Sequence, residues 1–267
     1  MRVLHLKTSQ TKLFDIGISF IAGLFFTFIV LVLITLMTTT SLHELYRQMR
    51  SSVVISAVWI SIETSIAVVL LSFIFGFPVA YLLALKQFKG KPFLETLIDL
   101  PIVMPPLVSG LALLILFGGT GLLGKLLNKW GLNIIFTKKG ILIAQLFVAS
   151  PFFIKTVREA IASIPQNLLA ASATLGASPF YTFRKVILPL SKSAIWAGLT
   201  MTWARALGEF GATAMVAGCI PQQTETMTIA IYMGAMSGEL ATASALALIL
   251  VVFSFVSLLV FKSGLKR

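Results

Sequence analysis

The chain has 267 residues, of which 58% are hydrophobic and 11% charged, against about 25% charged in a soluble domain, so water is not its main solvent. Its formal net charge of +12 does not point to nucleic acid, because the 21 Lys and Arg sit between long apolar runs and form no basic stripe interleaved with stacking aromatics. The single cysteine, Cys219, excludes an intramolecular disulfide framework and a cysteine-based zinc site.

A hydrocarbon core about 30 Å thick takes roughly 20 apolar residues of helix to cross, and six segments qualify as spans. The first, Ile16 to Met37, follows Lys7 and Lys12; it is too long for a signal-peptide core and no small-residue cleavage site follows it. The second, Val53 to Leu85, is longer than a membrane is thick, which predicts that its first turns, with Trp59 and Glu63, lie outside the hydrocarbon. Leu97 to Phe117, Gly140 to Ile154, Ile195 to Ala217 and Ala241 to Phe261 complete the set. The fourth is short, and its helix is expected to run on past Lys155 and Arg158 into water.

Six spans place both termini on one side. With the N terminus in the cytoplasm, fourteen Lys and Arg fall on the cytoplasmic side and six outside, the bias expected of an N-in protein. Four of the outer six, Lys125 to Lys139, flank Trp130 in a stretch that reads as an interfacial helix.

The cytoplasmic stretch Lys155 to Lys192 reads as two short helices. Pro165 opens a segment, and Leu168 to Leu175, rich in leucine and alanine, favours helix until Gly176 stops it. Ser178 and Pro179 supply an N-cap and a first-turn proline for a second helix through Phe180, Phe183 and Val186, which Pro189 is expected to end. A generic amphipathic pair of this kind would lie on lipid. The spacing favours another role: Ala170, Ala171 and Ser172 precede Gly176, and Val186 and Leu188-Pro189 follow it at a fixed distance.

That pattern resembles the EAA signature of ABC importer permeases, with Ala170 standing where the family usually has glutamate. The resemblance implies a type I ABC importer permease fold: an all-α integral membrane protein of the cell membrane with six transmembrane helices, both termini cytoplasmic, and a coupling helix between spans four and five. It divides the chain into 1–52 with the first span, a permease core 53–262 whose coupling loop is about 155–192, and a tail 263–267. Ala170, Ala171, Ser172, Gly176, Pro179, Leu188 and Pro189 would then form the knob that docks on an ATPase. The chain has no Gly-x-x-x-x-Gly-Lys-Ser/Thr loop to cradle phosphates, so the ATPase is expected to be another polypeptide, carrying the ATP and Mg, with no cofactor on this chain.

Two further segments extend the likeness over most of Val53 to Phe261. In Leu100 to Leu111, Pro105, Pro106 and Ser109 lie within a span; prolines there free backbone carbonyls, which suits either a pathway lining or a kinked, packed helix. In the second, Gly208, Glu209, Phe210, Gly211 and Thr213 follow Arg205. Arg205 and Glu209, four apart, can meet as an ion pair, read first as a self-neutralising brace that keeps the helix in register. The Gly-Glu-Phe-Gly-Ala run and Gln223 to Tyr232 look like the molybdate, tungstate and sulfate permeases, and the Pro-Pro-Leu-Val-Ser-Gly-Leu run looks closer to the molybdate and tungstate branch.

The resemblance implies a second permease copy, two ABC ATPase subunits and an external oxyanion-binding protein as partners in the bilayer, with Pro105, Pro106, Ser109, Gly208, Glu209, Phe210, Gly211 and Thr213 as gate candidates. A sulfate or thiosulfate permease is the alternative within the family. An ion-coupled secondary transporter would need more intramembrane ionisable groups than Arg205 and Glu209. A membrane enzyme is disfavoured, since His5 and His43 are the only histidines and both fall outside the spans.

Overall fold

The computed structural model of the chain describes residues 9–39 and 41–264, and every regular element among them is helical. The positive charges expected at Arg2, Lys7, Lys266 and Arg267, and His5, lie outside the described residues. Four of the described helices are long and apolar enough to cross a membrane: α1 (Ser9–Thr38), α3 (Ser52–Leu85), α7 (Lys138–Ala162) and α13 (Leu240–Gly264). Helix α1 buries none of its apolar span and leans on α13, so its stability comes from what surrounds it and not from the chain's own core. A short amphipathic helix, α2 (Leu42–Met49), capped by Ser41, joins α1 to α3.

The core is where α3 and α7 pack against each other and against α10 (Leu188–Leu207). Its centre is Phe153, fully buried and clasped between two glycines. A Cβ at Gly76 of α3 would lie 3.0 Å from its ring, and one at Gly198 of α10 would lie 3.1 Å from the other side. Without side chains at these two positions the three backbones close around one aromatic, which supplies dispersion contact where lipid removes any hydrophobic drive.

Helix α3 has 34 residues, about 50 Å at 1.5 Å per residue, and its N-terminal half carries Glu63 in an exposed ion pair with Lys138, 2.8 Å away. Helix α7 continues as expected beyond Lys155 and Arg158, ending at Ala162. Those two side chains reach α4 (Lys91–Val103), where Lys155 lies 3.3 Å from Asp99 and Arg158 lies 2.6 Å from Glu95.

Three expectations need correcting. The third span is not one helix: α4 ends at Val103, and α5 (Pro106–Phe117) leaves it at 114°. Two consecutive prolines lack amide donors, and the residue before a proline avoids the helical region; Met104 and Pro105 are accordingly extended, each with ψ 134°. The fifth span is also interrupted, since α10 stops at Leu207 and α11 (Gly211–Ala217) starts after Gly208-Glu209-Phe210, where Phe210 has φ −126° and ψ −58°. Finally, Pro189 does not end the second loop helix. The chain turns from α9 (Pro179–Thr182) through a π turn, Phe183–Ile187, directly into α10. The Leu188 amide donates five residues back to the Phe183 carbonyl, and this wider turn accommodates a proline that would clash in an α register.

Beyond α11, the loop 218–226 leads to a helix that the apolar-run criterion missed, α12 (Met227–Met236), too short to span alone and packed on α13 and α3. Helix α6 (Leu122–Asn128) folds back on the end of α5, where the chain has only glycine: a Cβ at Gly124 would fall 1.8 Å from the Gly118 carbonyl oxygen.

Candidate functional site

The first cluster of predicted residues forms a knob below the core. Helix α8 (Gln166–Thr174) ends in a glycine-closed Schellman motif: Gly176, at φ +75°, donates to the Ala173 carbonyl and Ala177 donates to the Ser172 carbonyl. Nothing lies within 4 Å of a Cβ placed on Gly176, so the glycine is required by its left-handed backbone and not by crowding. The chain then turns at Ser178, whose Oγ accepts from the Tyr181 amide at 3.2 Å, with Pro179 in the first turn of α9. The Ser172 hydroxyl is buried and hydrogen-bonds the Thr182 hydroxyl at 2.6 Å, locking α8 to α9. Ser172 is thus an internal strut, and Ala170, Ala171 and Ala173 are small residues that α8 exposes. Around them stand uncovered apolar side chains, Leu175 at 86% exposure and Phe180 at 70%. Leu188 and Pro189 sit apart from this surface, at the foot of α10 beside Val69, Leu70 and Phe73 of α3.

A file of aromatic rings ties the knob to the core. Phe180 meets Phe183 in the π turn, Phe183 meets Phe77 and Tyr81 of α3 edge-on with centroids 5.7 Å apart, and Phe73 links Phe77 to Phe153. Edge-to-face packing of this kind has a preferred geometry as well as an apolar contribution.

The second cluster is assembled from the two broken helices. Helices α5 and α11 touch through reciprocal glycines: a Cβ on Gly211 would sit 3.0 Å from Pro106, and a Cβ on Gly110 would sit 2.8 Å from the Ala212 backbone and 2.7 Å from the Met215 Cβ. Gly110, part of the motif but not singled out among the site residues, is the closer of the two contacts; its signal was a glycine directly after Ser109 in an otherwise bulky run. Ser109 and Thr213 are buried at this junction, while Pro105, Pro106 and Gly208 are exposed.

Glu209 brackets the break between α10 and α11. Its carboxylate, only 1% exposed, places Oε2 2.6 Å from Arg205 Nη1, and Oε1 accepts from the Ala212 amide at 2.8 Å. Its backbone carbonyl accepts from the Thr228 hydroxyl of α12 at 2.7 Å. Phe210 stacks at 4.9 Å on Tyr232 of the same helix. Sequence reasoning found the ion pair but missed Thr228, which shows only as the second threonine of Thr226-Met227-Thr228.

Outside the spans, the 218–226 loop holds Glu225, whose carboxyl is buried and pushed above its ordinary range by that burial. The neighbouring Cys219 thiol is raised too, by burial first and by the Glu225 charge second. Gln222, at φ +61°, donates from its side chain to Ser52 at the start of α3.

Residues 76–263 of the chain match the family described as "Binding-protein-dependent transport system inner membrane component". The chain belongs to this family. It is a multi-pass inner-membrane permease of the ABC importer type. The "Probable transport system permease protein NifC" of Clostridium pasteurianum is 37% identical over 213 residues, 79% of this chain and 74% of that one. The "Molybdenum transport system permease protein ModB" of Haemophilus influenzae is 37% identical over 215 residues, 80% of this chain and 94% of that one. A "Probable sulfate transport system permease protein cysT" of Chlorella vulgaris is 35% identical over 217 residues, 81% and 82% of the two chains. Among solved structures, a bacterial ABC transporter "involved in the import of the acidic polysaccharide alginate" superposes with a TM-score of 0.68, covering 97% of this permease and 94% of that chain at 18% identity. The MetNI methionine ABC transporter gives a TM-score of 0.63, covering 80% of this permease and 95% of that chain at 19% identity. At these identities the superpositions speak for the fold.

Proposed function

We propose that this permease carries a tetrahedral oxyanion, molybdate or tungstate, into the cytoplasm as the membrane subunit of an ATP-driven importer. In this reading the spans are α1, α3, the bent α4–α5, α7, the broken α10–α11, and α13, with both termini and the α8–α9 knob in the cytoplasm. Two copies share one path, an ATPase chain docks under each knob, and an external binding protein delivers the anion. The observation that carries the reading is the knob itself: an exposed apolar surface of Leu175 and Phe180 on two short helices locked by the Ser172–Thr182 hydrogen bond. A cytoplasmic element this rigid, exposing large apolar side chains, is built to be covered by protein.

The α5 segment and the relative named for molybdenum transport support molybdate or tungstate. The sulfate reading has its own support in the relatives named for sulfate transport. The decisive test is uptake into vesicles carrying the permease with its ATPase and binding protein, comparing molybdate, tungstate and sulfate with and without ATP. ATP-dependent molybdate or tungstate uptake with sulfate a poor competitor is expected. Preferred sulfate uptake moves the substrate and keeps the mechanism; uptake that ignores ATP and follows an ion gradient overturns the importer reading.

A further inference from the structure

We propose that Arg205 is the side chain that meets the transported dianion, with Glu209 holding it in position; the inference rests on the oxyanion-import reading above. The pair lies inside the span. Ala206, next to Arg205, packs with Val68 of α3 and with Ala149 of α7, and Ala149 stands between Lys139 and Lys155, the charges that bound the apolar stretch of α7. A guanidinium at that depth is costly against lipid, so its open side must face protein or water.

That side is open. The Arg205 side chain is 28% exposed, whereas Glu209 is sealed. On α10, Thr202 and Ala206 are buried, while Met201, Ala204 and Gly208 are left exposed within a turn of Arg205.

The ion pair also leaves Arg205 donors to spare. A guanidinium carries five N–H groups in a fixed fork. Glu209 gives one oxygen to Nη1 and commits the other to the Ala212 amide, so it does not grip the fork with both oxygens. The carboxylate charge is divided between Arg205 and the start of α11, and the cation is under-compensated on its open side. Arginine is suited to tetrahedral oxyanions because its fork donates two parallel bonds. Two permease copies around one path would present two guanidiniums to one dianion, matching its charge.

The experiment is uptake of radiolabelled molybdate and sulfate by the assembled importer in vesicles, with binding-protein-stimulated ATP hydrolysis measured on the same preparation. Wild type comes first: if neither anion enters with ATP, the oxyanion reading itself fails. With wild-type import established, the double variant Arg205→Gln/Glu209→Gln removes both charges together and leaves no orphan ion. It is expected to keep stimulated ATP hydrolysis but to lose about tenfold or more in anion imported per ATP, the loss of one charged hydrogen bond. Arg205→Lys keeps the charge and loses the fork, and is expected to fall between the two; it also serves if the double variant fails to assemble. Import per ATP equal to wild type in either variant, or equal losses of hydrolysis and import, would make the pair a structural brace and overturn the proposal.

Discussion

Gly110→Ala is the most searching single change at the junction of the two broken helices. The added methyl would lie 2.7 Å from the Met215 Cβ and 2.8 Å from the Ala212 Cα. Carbon atoms rest at about 3.5–4.0 Å, so α5 and α11 must part by about 1 Å along most of their contact. Overpacking on this scale costs about 1–3 kcal/mol, and neither neighbour is the end of a flexible side chain that could swing aside. The variant should insert and assemble, melt earlier in detergent, and import more slowly because the two half-helices no longer seat. Second-site changes sharpen the test. Met215→Ala keeps the offending Cβ and should not rescue, while Met215→Gly removes one of the two clashes and should recover part of the stability. A Gly110→Ala importer as stable and active as wild type, or full rescue by Met215→Ala, would refute the close-approach argument.

Gly176→Val should insert normally yet lose binding-protein-stimulated ATP hydrolysis and uptake, because a left-handed backbone costs an ordinary residue about 1–2 kcal/mol; Gly176→Asn, which tolerates that conformation, should retain most of both. Glu225 sets a pH dependence. Its folded-state pKa stands above the ordinary 4.5, so between the two values the folded chain holds a proton the unfolded chain has lost, and stability falls as pH rises through that window. Thermal melts across it should show this slope, and Glu225→Gln should flatten it; an unchanged profile would remove Glu225 as the cause. Lys155→Ala, which breaks a half-exposed pair with Asp99, should shift stability by less than about 1 kcal/mol in the same melts.

Much of this architecture was legible because lipid imposes long uncharged runs, and α1, α3 and α13 could be read from those alone. The turn between α8 and α9 was equally plain: Gly176, Ser178 and Pro179 each have a backbone preference that is nearly unique in that order. The break at Gly208 to Phe210 was not legible. Arg205 and Glu209 four residues apart fit an unbroken helix, and the pair forms here although the helix ends between them, because Gly208 keeps the chain turning at φ −84°. The double proline was read as a pathway lining or a kink within one helix, and its 114° turn was not legible, since proline sets where a helix fails but not where the next one points. Helix α12 was missed because ten residues of apolar helix fall short of a span. Pro189 misled because its usual effect is a stop, and the π turn that accommodates it leaves no mark in the sequence.

That π turn also sets a compass bearing. An α-helix advances about 100° per residue, and a π turn holds one residue more than the α register needs. The surplus residue among Phe183–Ile187 therefore fixes the azimuth at which α8 and α9 project from the axis of α10. Deleting Val186 would leave a straight α-helix with its aromatic and apolar residues intact in kind. It would point Leu175 and Phe180 about a quarter-turn away from the direction in which a docked subunit could push.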